Sequence, residues 1–384
     1  MSSLIALLGR TSKPACGIAD YCNYLGTGFA GQGVHLENVQ VNWAELGWCR
    51  ALLELWHKSS DWKNKWVLLQ YTAGAWSRYG FPLAAIAVIA ILRQRGAHCA
   101  VTFHEPWRWE GTRSRWIDRL RGACQDWVIR RVYRLAERAV FPDPLAAIDW
   151  LPKDDSKSVF IPIGANVPEP DAPRNFVKSK TRTVAIFCLS NPPNLHHELE
   201  EIASALRFSS DREVQLKAVF LGRGTSEAKE QIHQAFVDTR IEVTNLGIQS
   251  AKEVSDSLSK ADVMLCVRGR LFPRRGSALA GIACGVPVIA YEGPAQQTPF
   301  GEAGVEFVPY RDHEMLGKVL LNVLTDENLQ QELRQKNRRS MEMHFSWNRI
   351  ATQYVEALGF ARDRSQYSTK ALPATVAEAK ICAS

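Results

Sequence analysis

Residues 261–293 read ADVMLCVRGRLFPRRGSALAGIACGVPVIAYEG, and they restrict the fold more than any other part of this 384-residue chain. Residues 261–267 are an apolar run of strand length, the pattern of a strand buried on both faces of a parallel sheet. A loop over 268–276 follows, carrying Arg268, Arg270, Arg274 and Arg275. Ser277 has N-cap chemistry, and the small residues Ala278, Ala280, Gly281 and Ala283 let a helix lie close against a sheet or a ligand. Gly285 suits the position after that helix, Pro287 stops it, and 286–291 supplies the next strand. An arginine-rich loop feeding a helix N-terminus gathers free N–H groups, the positive end of the dipole and guanidinium forks. That is the chemistry of a diphosphate site. A solvated loop in some other α/β enzyme fits the same local pattern.

The rest of the chain repeats this rhythm. Strands are expected at 4–8, 36–41, 66–71, 99–103, 138–141 and 159–163, with helices at 18–30, 51–57 and 82–95 between them. A second series places strands at 183–189, 214–221, 241–246, 263–267 and 287–291. The Pro-rich stretch 168–173 reads as a linker, and 361–384 loses periodicity and reads as a disordered tail. The expected division is an N-terminal domain over 1–168, a linker over 169–182, a C-terminal domain over 183–345, a helix over 346–360 and the tail. A chain this long favours two cores.

A net charge of +7 favours acidic partners without choosing among them. Nine cysteines, an odd number, show no C-x-x-C pair and no His/Cys cluster at metal-ligand spacing. Cys99, Cys188 and Cys266 lie in apolar runs, so reduced, buried thiols and no metal site are expected. The first residues lack the charged start and apolar length of a signal peptide, and no run approaches the ~18 apolar residues of a membrane span. A cytoplasmic protein is the expectation.

Beyond composition, the 261–293 string resembles the nucleotide-sugar segment of the retaining GT-B-fold glycosyltransferases of family 4, the group 1 family. Ala261-Asp262, Gly276, the small-residue helix and Gly285-Val286-Pro287-Val288-Ile289 follow that pattern. Upstream, Val219-Phe220-Leu221-Gly222-Arg223-Gly224 and Val243-Thr244-Asn245-Leu246-Gly247 are similar to its strand ends. Ser250 and Glu253 form a capping-box pattern before the next helix. Phe345-Ser346-Trp347 with Arg349-Ile350-Ala351 resembles its helix that crosses back to the first domain. The resemblance implies an α/β fold of two Rossmann-like doubly wound domains facing a cleft. It also implies a nucleotide-diphosphate sugar co-substrate, no other cofactor, a retaining transfer of a hexosyl type, and a polysaccharide or lipid-linked acceptor.

The chain departs from that pattern where chemistry is expected. Phe272 and Ala280 occupy the positions of the family's two glutamates, and residues 188–194 lack its arginine and lysine. Arg223, Arg274 and Arg275, with Gly276, Ser277 and Ala278 at the helix start, are the candidate diphosphate ligands. Glu302 is the candidate replacement for the ribose carboxylate. Gly17 and Ile18, in a segment resembling the family's "G-I-x-x-Y", are the candidate acceptor or phosphate loop. An ordinary strand–helix turn fits them equally. His104 and Glu105, after the strand at 99–103, resemble its "V-T-x-H-D" and are the candidate catalytic pair.

The stretch 107–138 is basic and aromatic. Trp116, Leu120, Trp127 and Val128 can share a helical face ringed by arginine, which suits either contact with an anionic membrane at its inner face or burial in the domain. No nucleic-acid module is present. The expected activity is glycosyl transfer. A non-catalytic nucleotide-sugar-binding scaffold and a GT-B nucleotide-sugar epimerase are the alternatives.

Overall fold

The computed structural model describes residues 2–10, 16–108, 116–153, 155–170, 180–192 and 194–360. They fall into two compact units, one running to Ile163 and resuming at Trp347, the other spanning Gly164–Ser346.

The first unit contains β1 (Ser2–Leu8), α1 (Gly17–Ala30), β2 (Val34–Gln40), α2 (Trp43–Leu46), α3 (Trp48–Lys58) and β3 (Trp66–Tyr71). It continues with α4 (Ala84–Gln94), β4 (His98–Phe103), α5 (Trp116–Leu135), β5 (Arg138–Phe141) and β6 (Ser158–Phe160). All its strands pair in parallel, in the order β2-β1-β3-β4-β5-β6. Alternation sorts the side chains. Ile5 and Leu7 join Val67 and Leu69 in one core, while Leu4 and Ala6 join Leu68 and Ala100 in another. Both faces of the sheet are therefore covered, as all-parallel sheets require.

The second unit contains β7 (Thr181–Phe187), α6 (Leu195–Ser210), β8 (Gln215–Leu221), α7 (Lys229–Phe236), β9 (Glu242–Gly247), α8 (Ala251–Ser259) and β10 (Val263–Arg270). Then come α9 (Gly276–Ala283), β11 (Val288–Tyr291), β12 (Val305–Val308), α10 (His313–Thr325) and α11 (Glu327–Ser340). Its sheet has the order β12-β11-β10-β7-β8-β9, the Rossmann arrangement with its switch between β7 and β10. Gly281 allows α9 to press onto the sheet, since a Cβ there would strike Met264 and Val288. Ser250 and Glu253 form the capping box of α8, and Gly285 adopts φ +69° after α9.

A five-residue π-turn, Met341–Phe345, leads into α12 (Trp347–Ala357), which belongs to the first unit and packs on α1. Tyr24 stacks on Trp347 at 5.9 Å. The Tyr354 hydroxyl bonds Tyr21 Oη and Thr102 Oγ1, each at 2.9 Å. Burial drives both tyrosine pKa values upward, so both hydroxyls stay protonated and able to donate.

Three local expectations differ from the structure. β10 runs on to Arg270, so Arg268 and Arg270 belong to a strand end and not to the loop. A register shift between Cys266 and Arg270 accommodates this extension, with Gly269 at φ +71°. β12 goes unread in the sequence because its four residues, VEFV, include a glutamate. Val128 is fully buried, turned about 100° from Trp127 and so outside the exposed stripe of Trp116, Leu120 and Trp127.

The α1–α12 contact leaves no room at Gly28, where a Cβ would collide with the Trp347 backbone carbonyl. Gly28→Ala should therefore destabilise the protein by about 1–3 kcal/mol. Thermal denaturation should show the midpoint falling, and an unchanged midpoint would mean the helices part freely.

Candidate functional site

In open α/β sheets, ligands bind beyond the carboxyl ends of the strands at the switch point. In the second unit that place lies after β7 and β10. Cys188, the first residue past β7, is held at φ +67°, a conformation L side chains rarely take. Its N–H donates to Leu221 O at 2.8 Å, and the Leu189 N–H donates to Arg223 O at 2.9 Å. The next N–H, of Ser190, donates to Glu198 Oε2 at 2.8 Å. The turns after β7 and β8 are thus tied together, with Gly222 at φ +89° and packed where a Cβ would press on the Phe187 ring and Cys188 Sγ.

After β10, Arg275 folds back and its Nη2 donates to Arg268 O at 3.1 Å. Arg275, not Ser277, holds the N-cap position of α9, and no side chain caps the helix. Ser277 lies inside the first turn, buried, with its Oγ 4.0 Å from Cys266 Sγ. Gly276, Ser277 and Ala278 open the helix, so their N–H groups have no intrahelical carbonyl to meet. Arg268, Arg274 and Arg275 are half-buried around this entry. Arg268 Nε is buried without a hydrogen-bond partner among the described residues.

Buried acids lie beneath. Glu198 and Glu201 on α6 are both nearly inaccessible. The Tyr291 hydroxyl donates to Glu201 Oε2 at 2.8 Å, and Arg311 Nε lies 3.8 Å from its Oε1. Burial raises the Glu198 pKa above its ordinary value, against the opposing pull of the Ser190 N–H and the Arg268 charge.

The sequence-derived candidates divide accordingly. Arg274, Arg275, Gly276, Ser277 and Ala278 gather at the α9 entry. Arg223 contributes its backbone to the neighbouring turn, and its side chain is exposed. Phe272 is exposed and Ala280 is buried in α9. Glu302 is not part of this group. It lies two residues before Gly304, whose carbonyl accepts the N–H of Val288, the first residue of β11. That is the opposite, N-terminal edge of the sheet, and Glu302 pairs there with His344 Nε2 at 3.1 Å. Arg270 turns away as well, its guanidinium 4.7 Å over the Tyr310 ring.

In the first unit, His104 and Glu105 follow β4. The His104 N–H donates to Tyr71 O at 3.0 Å, and its ring meets Tyr21 edge-on at 5.0 Å. Its Nε2 lies 2.8 Å from Oε1 of Gln70, a fully buried side chain whose Nε2 donates to Leu68 O. Since Gln70 Oε1 can only accept, His104 carries its proton on Nε2. Glu105 is exposed. Gly17 is the first residue of α1, which has no side-chain cap, and Ile18 is half-buried beside it. The loop residues 11–15 lie outside the described residues, as do 109–115, most of the linker and the tail.

Sequence reasoning missed Gln70, Glu198 and Glu201. Gln70 was marked only by being the one polar residue in the strand WVLLQY.

No protein-family model matches the chain, and no curated protein matches it. Solved structures do. A glycosyltransferase from Rickettsia africae superposes with a TM-score of 0.64 at 13% identity, covering 94% of this chain and 99% of that one. HepE of Anabaena, in complex with UDP and glucose, gives 0.64 at 13% identity over 94% and 100%. MurG of Acinetobacter baumannii gives 0.53 at 11% over 92% and 99%. At this identity the likeness shows the fold, a two-domain α/β, Rossmann-like architecture of the GT-B type.

Because its folded pKa is raised, Glu198 contributes stability that is complete below the unfolded glutamate pKa and is lost as pH rises through the folded value. Glu198→Gln should therefore gain thermal stability relative to the native chain as pH rises from 4 to 7. A difference that stays flat over that interval would mean the carboxylate titrates as in the unfolded chain.

Proposed function

We propose that the chain is a glycosyltransferase taking its sugar from a nucleotide-diphosphate donor. The observation that carries this reading is the entry to α9. Three arginines and the first N–H groups of a helix converge there, at the switch point of a Rossmann-ordered sheet. Such a group stabilises the charge that builds on a departing diphosphate. The complex of HepE with UDP-glucose supports the same class of ligand on this fold.

His104 is the residue we assign to the transferred sugar, with its Nε2 proton committed to Gln70. Gly17 and Ile18, at the start of α1, are assigned to the acceptor or its phosphate. Retention, a hexosyl donor, a polysaccharide or lipid-linked acceptor and a cytoplasmic setting complete the proposal. They rest on the resemblance described above.

One observation favours a second reading. Phe272 and Ala280 put apolar side chains where the resembling family has carboxylates, which fits a subunit that binds nucleotide sugar without turnover.

Thermal-shift screening against UDP-, GDP- and ADP-sugars, followed by assay of released nucleoside diphosphate, separates the two. Stabilisation with release supports the enzyme, and stabilisation without release supports the scaffold. Arg274→Ala combined with Arg275→Ala should weaken donor binding by about 1–3 kcal/mol, the loss of a charged hydrogen bond. Unchanged affinity would move the diphosphate elsewhere. His104→Ala should slow turnover about 100-fold while leaving donor affinity within about twofold. Equal losses in both would make His104 a ground-state binding residue.

A further inference from the structure

α5 has two faces of different chemistry. Gly122, Gln125, Val128, Ile129, Val132 and Tyr133 are buried against the first unit. At 100° per residue, Trp116, Leu120 and Trp127 project from the opposite side as one stripe. They are 74%, 54% and 56% exposed. Trp116 and Trp127 lie about 16 Å apart along the axis.

The exposed charges on this helix are all of one sign: Arg119, Arg130, Arg131 and Arg134. Its two acids lie to the side and are part-covered. Asp118 accepts from Arg121 Nη1 at 2.6 Å, and Asp126 lies 3.5 Å from Arg108 Nη1. The neighbouring segment that carries Tyr79 and Leu83, both exposed, packs on another side of the helix. It is fastened to the helix by Arg121 Nε on Tyr79 O and Gln125 Nε2 on Gly80 O, each at 2.9 Å.

We infer that this face docks on an anionic lipid bilayer. The inference goes beyond the donor-site reading and is independent of it. Tryptophan bodies with arginine heads beside them match the boundary between acyl chains and headgroups. The arginines supply charge complementarity to anionic headgroups, and the helix's two carboxylates each pair with an arginine. A convex stripe, unlike a groove, suits a flat and fluid partner better than an inserted peptide.

The test is flotation of the full chain with vesicles of phosphatidylcholine, alone or with a third phosphatidylglycerol. Recovery with the anionic vesicles should greatly exceed that with neutral ones and should fall as salt is raised. Trp116→Ser, Leu120→Ser and Trp127→Ser together should lower partitioning at least about tenfold. Arg130→Gln, Arg131→Gln and Arg134→Gln should each lower it about fivefold. All six side chains are exposed, so circular dichroism and the melting midpoint should not move. Equal recovery from neutral and anionic vesicles, or a serine variant that floats as well as the native chain, overturns the proposal. So does a native dimer in sedimentation velocity that the serine variant abolishes, since a second copy would then cover the stripe. Binding to heparin or polyglutamate without vesicle binding also overturns it. None of these readouts needs donor or turnover, so failure here leaves the glycosyl-transfer proposal standing.

Discussion

The second unit depends on how a guanidinium is kept at the end of β10. Arg268 acts on Glu198, Cys188 and Cys266, and its backbone carbonyl accepts from Arg275. A half-buried cation needs compensation, and buried Glu198 on α6 supplies it. The counter-charge is itself fixed, because Glu198 accepts the Ser190 N–H and Glu201 accepts the Tyr291 hydroxyl. Each partner constrains a different strand end: β7 through Ser190, β10 through Arg268 and β11 through Tyr291. One polar layer thereby sets the relative positions of the three turns at the switch point.

The first unit reaches a comparable result with neutral groups. Thr102 on β4, Tyr21 on α1 and Tyr354 on α12 share hydroxyl hydrogen bonds inside an apolar shell. His104 lies two residues beyond Thr102, its ring edge-on to Tyr21 and its Nε2 on Gln70. α12 therefore bears on the residue we assign to the sugar, through Tyr21. Buried hydroxyl and amide groups lose much if any partner is removed. This makes the histidine's orientation a property of the whole unit.

The sheet class and most strand positions were legible because they rest on periodicity and length. Residues 66–71 and 138–141 are short, mostly apolar stretches of strand length, and they fold as β3 and β5 with those limits. The short β12 was not legible, since four residues with a glutamate carry no period. The α9 entry was legible as a cationic loop, yet the roles inside it were not. Arg268 and Arg270 look alike in sequence, and only the bulge at Gly269 sends one toward Glu198 and the other onto Tyr310. Ser277 has N-cap chemistry, but the helix begins one residue earlier and leaves it in the first turn. Glu302 failed for a topological reason: the chain has crossed to the other edge of the sheet before reaching it. Ala261-Asp262 turned out to be structural, with Asp262 Oδ2 accepting the Thr183 N–H at 2.7 Å.

The missing carboxylates change the electrostatics of the proposed reaction. With Phe272 and Ala280 in place of acids, the α9 entry gathers arginines and helix N–H groups, and Glu198 and Glu201 on α6 are buried in hydrogen-bonded positions. Such a surface attracts a diphosphate before transfer, during departure of the sugar and after it. Interactions of equal strength in ground and transition states deepen binding without speeding the chemical step. Rate acceleration in the proposed reaction therefore rests on what strengthens as the bond to the sugar breaks. Departure adds charge at the diphosphate oxygen nearest the sugar, and the donors with spare capacity gain most from it. Arg268 Nε is buried without a hydrogen-bond partner among the described residues, and Arg275 spends one N–H on the Arg268 carbonyl. Under the proposed reaction Arg268 therefore joins Arg274 and Arg275 among the groups that a departing diphosphate would draw on.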